Sequence, residues 1–213
     1  MTFIFVHMVI GAIIFAACLI IIHHAKVQKK YRMYIIAFFV SSILTTILSI
    51  VPFENAFFTF HSAEEAFAYR NNAKISLVVE GKNSALVVGQ QKNRIIESII
   101  PRENDGWKIS TPLKEQTLLQ IFDESYIIYT YCISGNSDIY VRITNTTGIP
   151  IEVSDNNNSV YICLDSDEML DNHFSTYYAF INCSRESVEI YINGKVYPIS
   201  TMQSIGDSLR EAG

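Results

Sequence analysis

The first quarter of this chain lacks acidic residues: all 21 Asp and Glu lie beyond position 52. Basic residues are nearly missing there too. Only Lys26, Lys29, Lys30 and Arg32 occur, all in one short segment. Without Asp, Glu, Lys or Arg at membrane depth there is nothing to build an ion pathway or a proton relay, which argues against a two-helix transporter or channel. His7 is the only ionisable group in the first apolar run, near its outer end. Signatures of catalysis are missing as well. No nucleophile elbow, P-loop, HExxH or dinucleotide fingerprint occurs, and beyond position 52 there are only two histidines, His61 and His173. The spacing of Cys132, Cys163 and Cys183 matches no zinc pattern. These three cysteines read either as small buried hydrophobes or as one oxidised pair with an odd thiol left over. No repeat and no long low-complexity segment is detectable.

Two long apolar runs are present, Thr2–Ile22 and Met33–Val51. A helix needs roughly 20 apolar residues to cross the hydrocarbon core, so both runs are predicted to span it. A central charge would cost about 2.5–3.5 kcal/mol on insertion scales, and both runs avoid one. A cleaved signal peptide is disfavoured, because the basic residues follow the first run instead of preceding it. Phe15-Ala16-Ala17-Cys18 is a poor lipobox, since Cys18 continues into Leu19-Ile20-Ile21-Ile22. The positive-inside rule then places the loop 23–32 in the cytoplasm, on Lys26, Lys29, Lys30 and Arg32. The N-terminus and everything after Pro52 are expected outside. His23 and His24 read as interfacial residues at a helix end. The two helices are expected to pack through Ala12 and Ala16, a small-xxx-small pair, against Ser42, Thr45, Thr46 and Ser49, at about 0.6–2 kcal/mol for each interhelical hydroxyl bond.

The remainder carries 12 Lys/Arg against 21 Asp/Glu, a net of −9. That balance argues against nucleic acid as a partner. Residues 53–73 read as a juxtamembrane linker, Phe-rich at first, as an interfacial belt would be. It continues into a short helix, Ala63–Tyr69, with Ser62 as N-cap and Glu65 three positions on. From Lys74 the pattern is β. Strands are predicted over 75–80, 84–89, 94–100, 107–110, 118–122, 126–132, 139–144, 149–153, 160–164, 177–183 and 188–192, with a last one over 195–199. Gly81-Lys82-Asn83 and Asn193-Gly194 are hairpin signals, the second the stronger. Residues 74–200 are therefore predicted to form an antiparallel sandwich or barrel-like domain, followed by a tail over 201–213.

Candidate chemistry in this domain is sparse. Asp165, Asp167 and Asp171, in the acidic stretch Asp165–His173, are oxygen ligands at alternating positions that would suit Ca²⁺. The stretch lacks the Gly and distal Glu of an EF-hand, and it also reads as a solvated loop. No cofactor is implied. Asn145, Asn157 and Asn182 open formal glycosylation sequons, and Asn182 lies in a predicted strand, which argues against a glycan there. Tyrosines are abundant, and any that face outward would make contact anchors.

The stretch Pro52-Phe53-Glu54-Asn55-x-Phe57-x-x-Phe60-x-Ser62-x-Glu64-Glu65-Ala66-Phe67-x-Tyr69, followed by Val78-Val79-Glu80-Gly81-Lys82-Asn83-Ser84-Ala85-Leu86-Val87-Val88, resembles a group of small membrane proteins of Gram-positive (Firmicutes-type) bacteria. The resemblance extends loosely to Ile192-Asn193-Gly194-Lys195-x-x-Pro198-Ile199. It implies two N-terminal transmembrane helices and an extracytoplasmic β-rich domain, and supplies no activity and no site residue. The expected role is a membrane-anchored module that binds a membrane or envelope partner, not an enzyme. Two alternatives are an accessory, regulatory or immunity-type subunit acting through the hairpin, and an envelope hydrolase using Asp165, Asp167 or Glu168.

Overall fold

The computed structural model describes residues 2–27, 31–50, 52–57, 59–92, 94–103, 106–111, 115–133, 137–165, 174–182 and 187–200. Two helices come first, α1 (Thr2–Val27) and α2 (Tyr31–Ile50), in contact with each other. Both show apolar side chains to the surroundings: Ile13, Phe15 and Ile20 on α1, and Ile35, Phe38 and Phe39 on α2, are each 60% exposed or more. A helix apolar all round belongs in a core or a bilayer, and these side chains are not in a core. One stretch among the described residues has the length and apolarity of a membrane span, Val6–His24. The expected second span forms a helix, α2, but a second span is not shown, Val6–His24 being the one found among the described residues. The loop expected over 23–32 is shorter, since α1 continues to Val27 and α2 begins at Tyr31. No Gly or Pro interrupts His23–Val27, and a Lys in the last turn suits the helix dipole.

A 3₁₀ turn (Phe53–Ala56) and helix α3 (Ala63–Arg70) lead into the β domain. The Ser62 side chain accepts from the Glu65 N–H, and a Glu65 carboxylate oxygen accepts from the His61 N–H, so the expected cap is made. All strand pairs are antiparallel, in three sheets, one curved into a half-barrel. The first sheet is β1 (Lys74–Glu80), β2 (Ser84–Gln91), β3 (Arg94–Glu103) and β4 (Gly106–Trp107), in that order. The second holds β5 (Glu115–Phe122), β6 (Tyr126–Ile133), β7 (Ile139–Asn145), β9 (Ile162–Asp165) and β10 (Ser175–Ile181), in the order β5-β6-β7-β10-β9. The third is β12 (Lys195–Ser200), β11 (Ser187–Ile192) and β8 (Val153–Asp155). Residues Asn193 and Gly194 take φ of 49° and 80°, the left-handed pair that the β11–β12 turn requires.

Three core clusters make this a layered stack. Ala63, Ala66 and Phe67 of α3 pack on Ala85, Val87 and Ile100 of the first sheet. The opposite face of that sheet, through Leu86, Val88 and Ile99, meets Ile133, Tyr140 and Tyr178 of the second. The other face of the second sheet, through Ile128, Val141, Ile143 and Ile181, packs on Val188, Ile190, Ile192 and Ile199 of the third. Strand β2 is thus covered on both faces, which is why Ser84–Gly89 is buried at every position instead of alternating. Helix α3 covers a face of the first sheet.

Two expected strands moved. The prediction over 107–110 reduces to the two-residue β4, because Asn55 claims the next backbone: Ile109 N–H donates to its side-chain oxygen and Ile109 O accepts from its amide. The prediction over 149–153 shifts to Val153–Asp155, since Asn145 folds its own turn through Thr147 and Ile149 and Gly148 takes a φ of 69°. The 201–213 tail lies outside the described residues.

Candidate functional site

Register in the second sheet sets up the site. Tyr129 of β6, Arg142 of β7 and Tyr178 of β10 are direct cross-strand neighbours, so their side chains share one face. That face looks onto the first sheet, where Glu97 of β3 lies on the same side as Leu86 and Ile99. Arg142 Nη1 donates to Glu97 Oε2 at 2.8 Å, and the Tyr178 hydroxyl donates to Glu97 Oε1 at 2.7 Å. The guanidinium also lies 4.2 Å from the centroid of the Tyr129 ring. Gln120 of β5 extends the row, donating to the Tyr129 hydroxyl at 2.8 Å.

A cavity of about 390 Å³ opens beside this row, between the two sheets. Leu86, Glu97, Ser98 and Ile99 line it from the first sheet. Glu115, Thr117, Tyr129, Tyr131 and Arg142 line it from the second. A register shift between Thr117 and Leu119 marks β5 at this point, the kind of irregularity that re-aims side chains. Glu115 Oε1 is held by Ser98 Oγ at 2.9 Å and Ser110 Oγ at 2.7 Å. Arg70 of α3 lies near it and donates to the Ser110 carbonyl.

Electrostatics follow from this packing. Burial alone lowers the Arg142 pKa, but the charge and hydrogen bond of Glu97 outweigh it and hold the guanidinium above its usual value. Burial, then the Glu97 charge, pushes the Tyr178 hydroxyl far up, and Tyr131 likewise. Both stay neutral at physiological pH. Two polar atoms at the cavity have no protein partner, Arg142 Nε and the Tyr131 hydroxyl oxygen, and both are buried. Native proteins pair almost all such atoms, with protein, water or ligand.

A second carboxylate, Asp138, joins the same two sheets. It is 1% exposed, and its Oδ2 accepts from the Asn83 N–H at 2.7 Å and Ser84 Oγ at 2.8 Å. Ser84 Oγ also bonds the Tyr140 hydroxyl. The β1–β2 turn is pressed so closely here that a Cβ on Gly81 would lie 2.5 Å from the Tyr140 hydroxyl. A third junction joins α1 to the β domain. His7 Nε2 lies 3.2 Å from Glu54 Oε1, which also accepts from the Tyr69 hydroxyl at 3.3 Å.

The residues singled out from sequence lie elsewhere. Asp165 ends β9, whereas Asp167, Glu168, Asp171 and His173 fall outside the described residues. No metal-holding group of His, Cys, Asp or Glu occurs among the described residues. Ala12, Ala16 and Ser42 are exposed on their helices, and the half-buried positions of α1 are instead Val6, His7, Ile10, Gly11, Ile14, Cys18 and Ile22. Thr45, Thr46 and Ser49 are on α2, with side chains outside the described residues. Lys26 lies in the last turn of α1, Arg32 is exposed near the start of α2, and Lys29 and Lys30 lie outside the described residues. Cys18, Cys132 and Cys163 form no disulfide among the described residues, and Cys183 lies outside them. Burial raises the Cys132 pKa, which makes it an inert thiol. None of the tyrosines Tyr126, Tyr129, Tyr131, Tyr140, Tyr161, Tyr177, Tyr178, Tyr191 and Tyr197 is an outward anchor: all are half-buried or buried, as core and strand formers are.

Sequence reasoning missed Arg142, Glu97, Glu115 and Tyr131. One signal was available. Arg142 interrupts the apolar run Ile139–Ile143, and Glu97 stands between the pairs Ile95-Ile96 and Ile99-Ile100, and a charge among such neighbours needs a partner.

No known protein family, curated protein or solved structure matches the chain. The resemblance to small Gram-positive membrane proteins therefore stands only in its coarse content, an N-terminal apolar helix and a β-rich domain.

Proposed function

We propose that the chain is a membrane-anchored, extracytoplasmic binding module. Helices α1 and α2 both cross the bilayer, the basic segment between them is cytoplasmic, and the β domain stands outside. The domain binds its ligand in the cavity between the first and second sheets and performs no catalysis on it. The observation that carries this reading is the cavity itself, of ligand size and lined by Tyr131 and Arg142, each with a buried polar atom that has no protein partner. The exposed Phe57, 79% accessible where the chain leaves the helices, supports an interfacial anchor. The contact of His7 with Glu54 supports a domain held close to the outer end of α1. Against catalysis, the carboxylates of Glu97 and Glu115 each accept two hydrogen bonds from neighbouring side chains. They serve as fixed anchors, with no water-activating pair in view.

Topology is tested on the native chain. An impermeant amine-reactive ester applied to intact cells should modify Lys195, 62% exposed, together with Lys82 and Lys92. Lys26, Lys29 and Lys30 should react only after the membrane is permeabilised. The opposite pattern would place the domain in the cytoplasm.

A second reading rests on a groove of about 420 Å³ between α1 and α2, walled by Phe15, Leu19, Phe38 and Ser42. Here the hairpin is the working surface of an accessory subunit. Co-purification with another membrane protein, lost when Ser42, Thr45 and Thr46 are changed to Leu, would favour it. A complex that survives removal of residues 1–52 would exclude it.

A further inference from the structure

The cavity beside Arg142 constrains the chemistry of what it can hold, if the domain is a binding module as read above. Its charges are already matched. Glu97 is paired with Arg142 at 2.8 Å, and Glu115 is held by two serine hydroxyls with Arg70 close by. A free anion entering would meet both carboxylates, and a free cation would have to displace an arginine. A neutral ligand meets neither obstacle. Two hydrogen-bonding atoms remain available, Arg142 Nε, which can only donate, and the Tyr131 hydroxyl, which donates when neutral. They are near enough to perturb each other electrostatically. Such a pair asks for a strong neutral acceptor, and a carbonyl oxygen with two lone pairs supplies one. The same wall carries carboxylate oxygens of Glu97 and Glu115, acceptors for an N–H. The Tyr129 and Tyr131 rings and Leu86 add apolar surface for a flat or ring-shaped body.

We propose that this cavity binds a small neutral molecule through a secondary amide. Its carbonyl oxygen accepts from Arg142 Nε and Tyr131 OH, and its N–H faces the carboxylates. An acetamido sugar has this chemistry, and the volume accommodates one ring.

Saturation-transfer NMR on the full chain in lipid nanodiscs tests it, with N-acetylglucosamine, glucose and acetate as probes at equal concentration. The acetamido methyl of N-acetylglucosamine should receive saturation, whereas glucose, which has no amide, and acetate, which is an anion, should not. Tyr131→Phe removes a hydroxyl that bonds nothing in the protein. It should leave the thermal midpoint unchanged while weakening N-acetylglucosamine about five- to tenfold, the worth of one hydrogen bond. Thr117→Trp, at an exposed mouth position of β5, should abolish the transfer by filling the entrance. Preferential acetate binding, equal response to glucose, or indifference to Tyr131→Phe would each overturn the amide assignment. If a photo-reactive group at Thr117 captures a ligand in cells while N-acetylglucosamine gives no transfer, the amide assignment fails and the binding reading survives. If neither occurs, both fail.

Discussion

Gly89 supports a test of the packing between α3 and the first sheet. It sits inside β2, paired with Ile75 and Ile96, and its φ is not left-handed. A strand-interior glycine with ordinary backbone angles should gain roughly 0.5–1 kcal/mol on replacement by alanine. The structure reverses that sign. A Cβ at position 89 would lie 2.8 Å from Phe67 Cε1, 2.9 Å from Cζ and 3.2 Å from Ala73 Cβ. Comfortable carbon contacts begin near ~3.5 Å, so the ring must retreat. Phe67 is 0% exposed and enclosed by Ala66, Ala85, Val87 and Ile100, which leaves no room for it. Overpacking of this kind costs about 1–3 kcal/mol. Net of the backbone gain, Gly89→Ala should destabilise by about 0.5–2 kcal/mol. Phe67→Leu shortens the ring and should relieve the clash. Denaturant unfolding of the wild type, both single variants and the double variant should therefore show coupling of about 1 kcal/mol. A stabilised Gly89→Ala, or strict additivity, would refute the close contact.

Gly194 offers a contrast, since nothing lies within 4 Å of a Cβ there and only its φ of +80° resists substitution. Gly194→Ala should cost about 1–2 kcal/mol, read by thermal unfolding, and no second-site partner should rescue it. Asp138→Ala, which removes the acceptor shared by the Asn83 N–H and the Ser84 hydroxyl, should cost about 1.5–3 kcal/mol. An unchanged unfolding midpoint would mean that the turn is not docked. The remaining prediction concerns pH. Burial raises the pKa of Tyr131, Tyr140, Tyr161 and Tyr178 above the ordinary 10.0. Folding thus favours their neutral forms, and the stability they contribute is complete below pH 10 and is lost as pH rises above it towards the folded values. Absorbance at tyrosinate wavelengths should show these four ionising together with cooperative unfolding, and a smooth non-cooperative titration of all tyrosines near pH 10 would count against their burial.

How much of this was legible from the residues divides by range. Helix α3, its Ser62 cap and the Asn193-Gly194 turn are local signals, and all are present. Most strands were also local, because runs such as Tyr126–Cys132 carry β-branched and aromatic residues throughout. The layered stack was not legible. With both faces of β2 and β7 covered, alternation vanishes and the pattern no longer says which residues face which sheet. The Arg142–Glu97 pair joins positions 45 apart in sequence. It depends on how two sheets are stacked, which no periodicity encodes. The acidic stretch after β9 attracted attention by density of charge, whereas the cavity is built from charges set singly into apolar strands. The tyrosines show the same limit: composition gives their number, and only packing shows that the buried hydroxyls of Tyr140, Tyr161 and Tyr178 hold the polar groups of Ser84, Asp155 and Glu97.

The central claim is binding at the cavity between the first two sheets, and photo-crosslinking in intact cells tests it most directly. A photo-reactive side chain at Thr117, exposed at the cavity mouth, would be compared with one at Val160, 77% exposed and not part of the cavity lining. The account predicts a discrete adduct from position 117 that is absent from position 160 and diminished by Tyr131→Phe. Equal labelling at the two positions, or none from position 117, would contradict it.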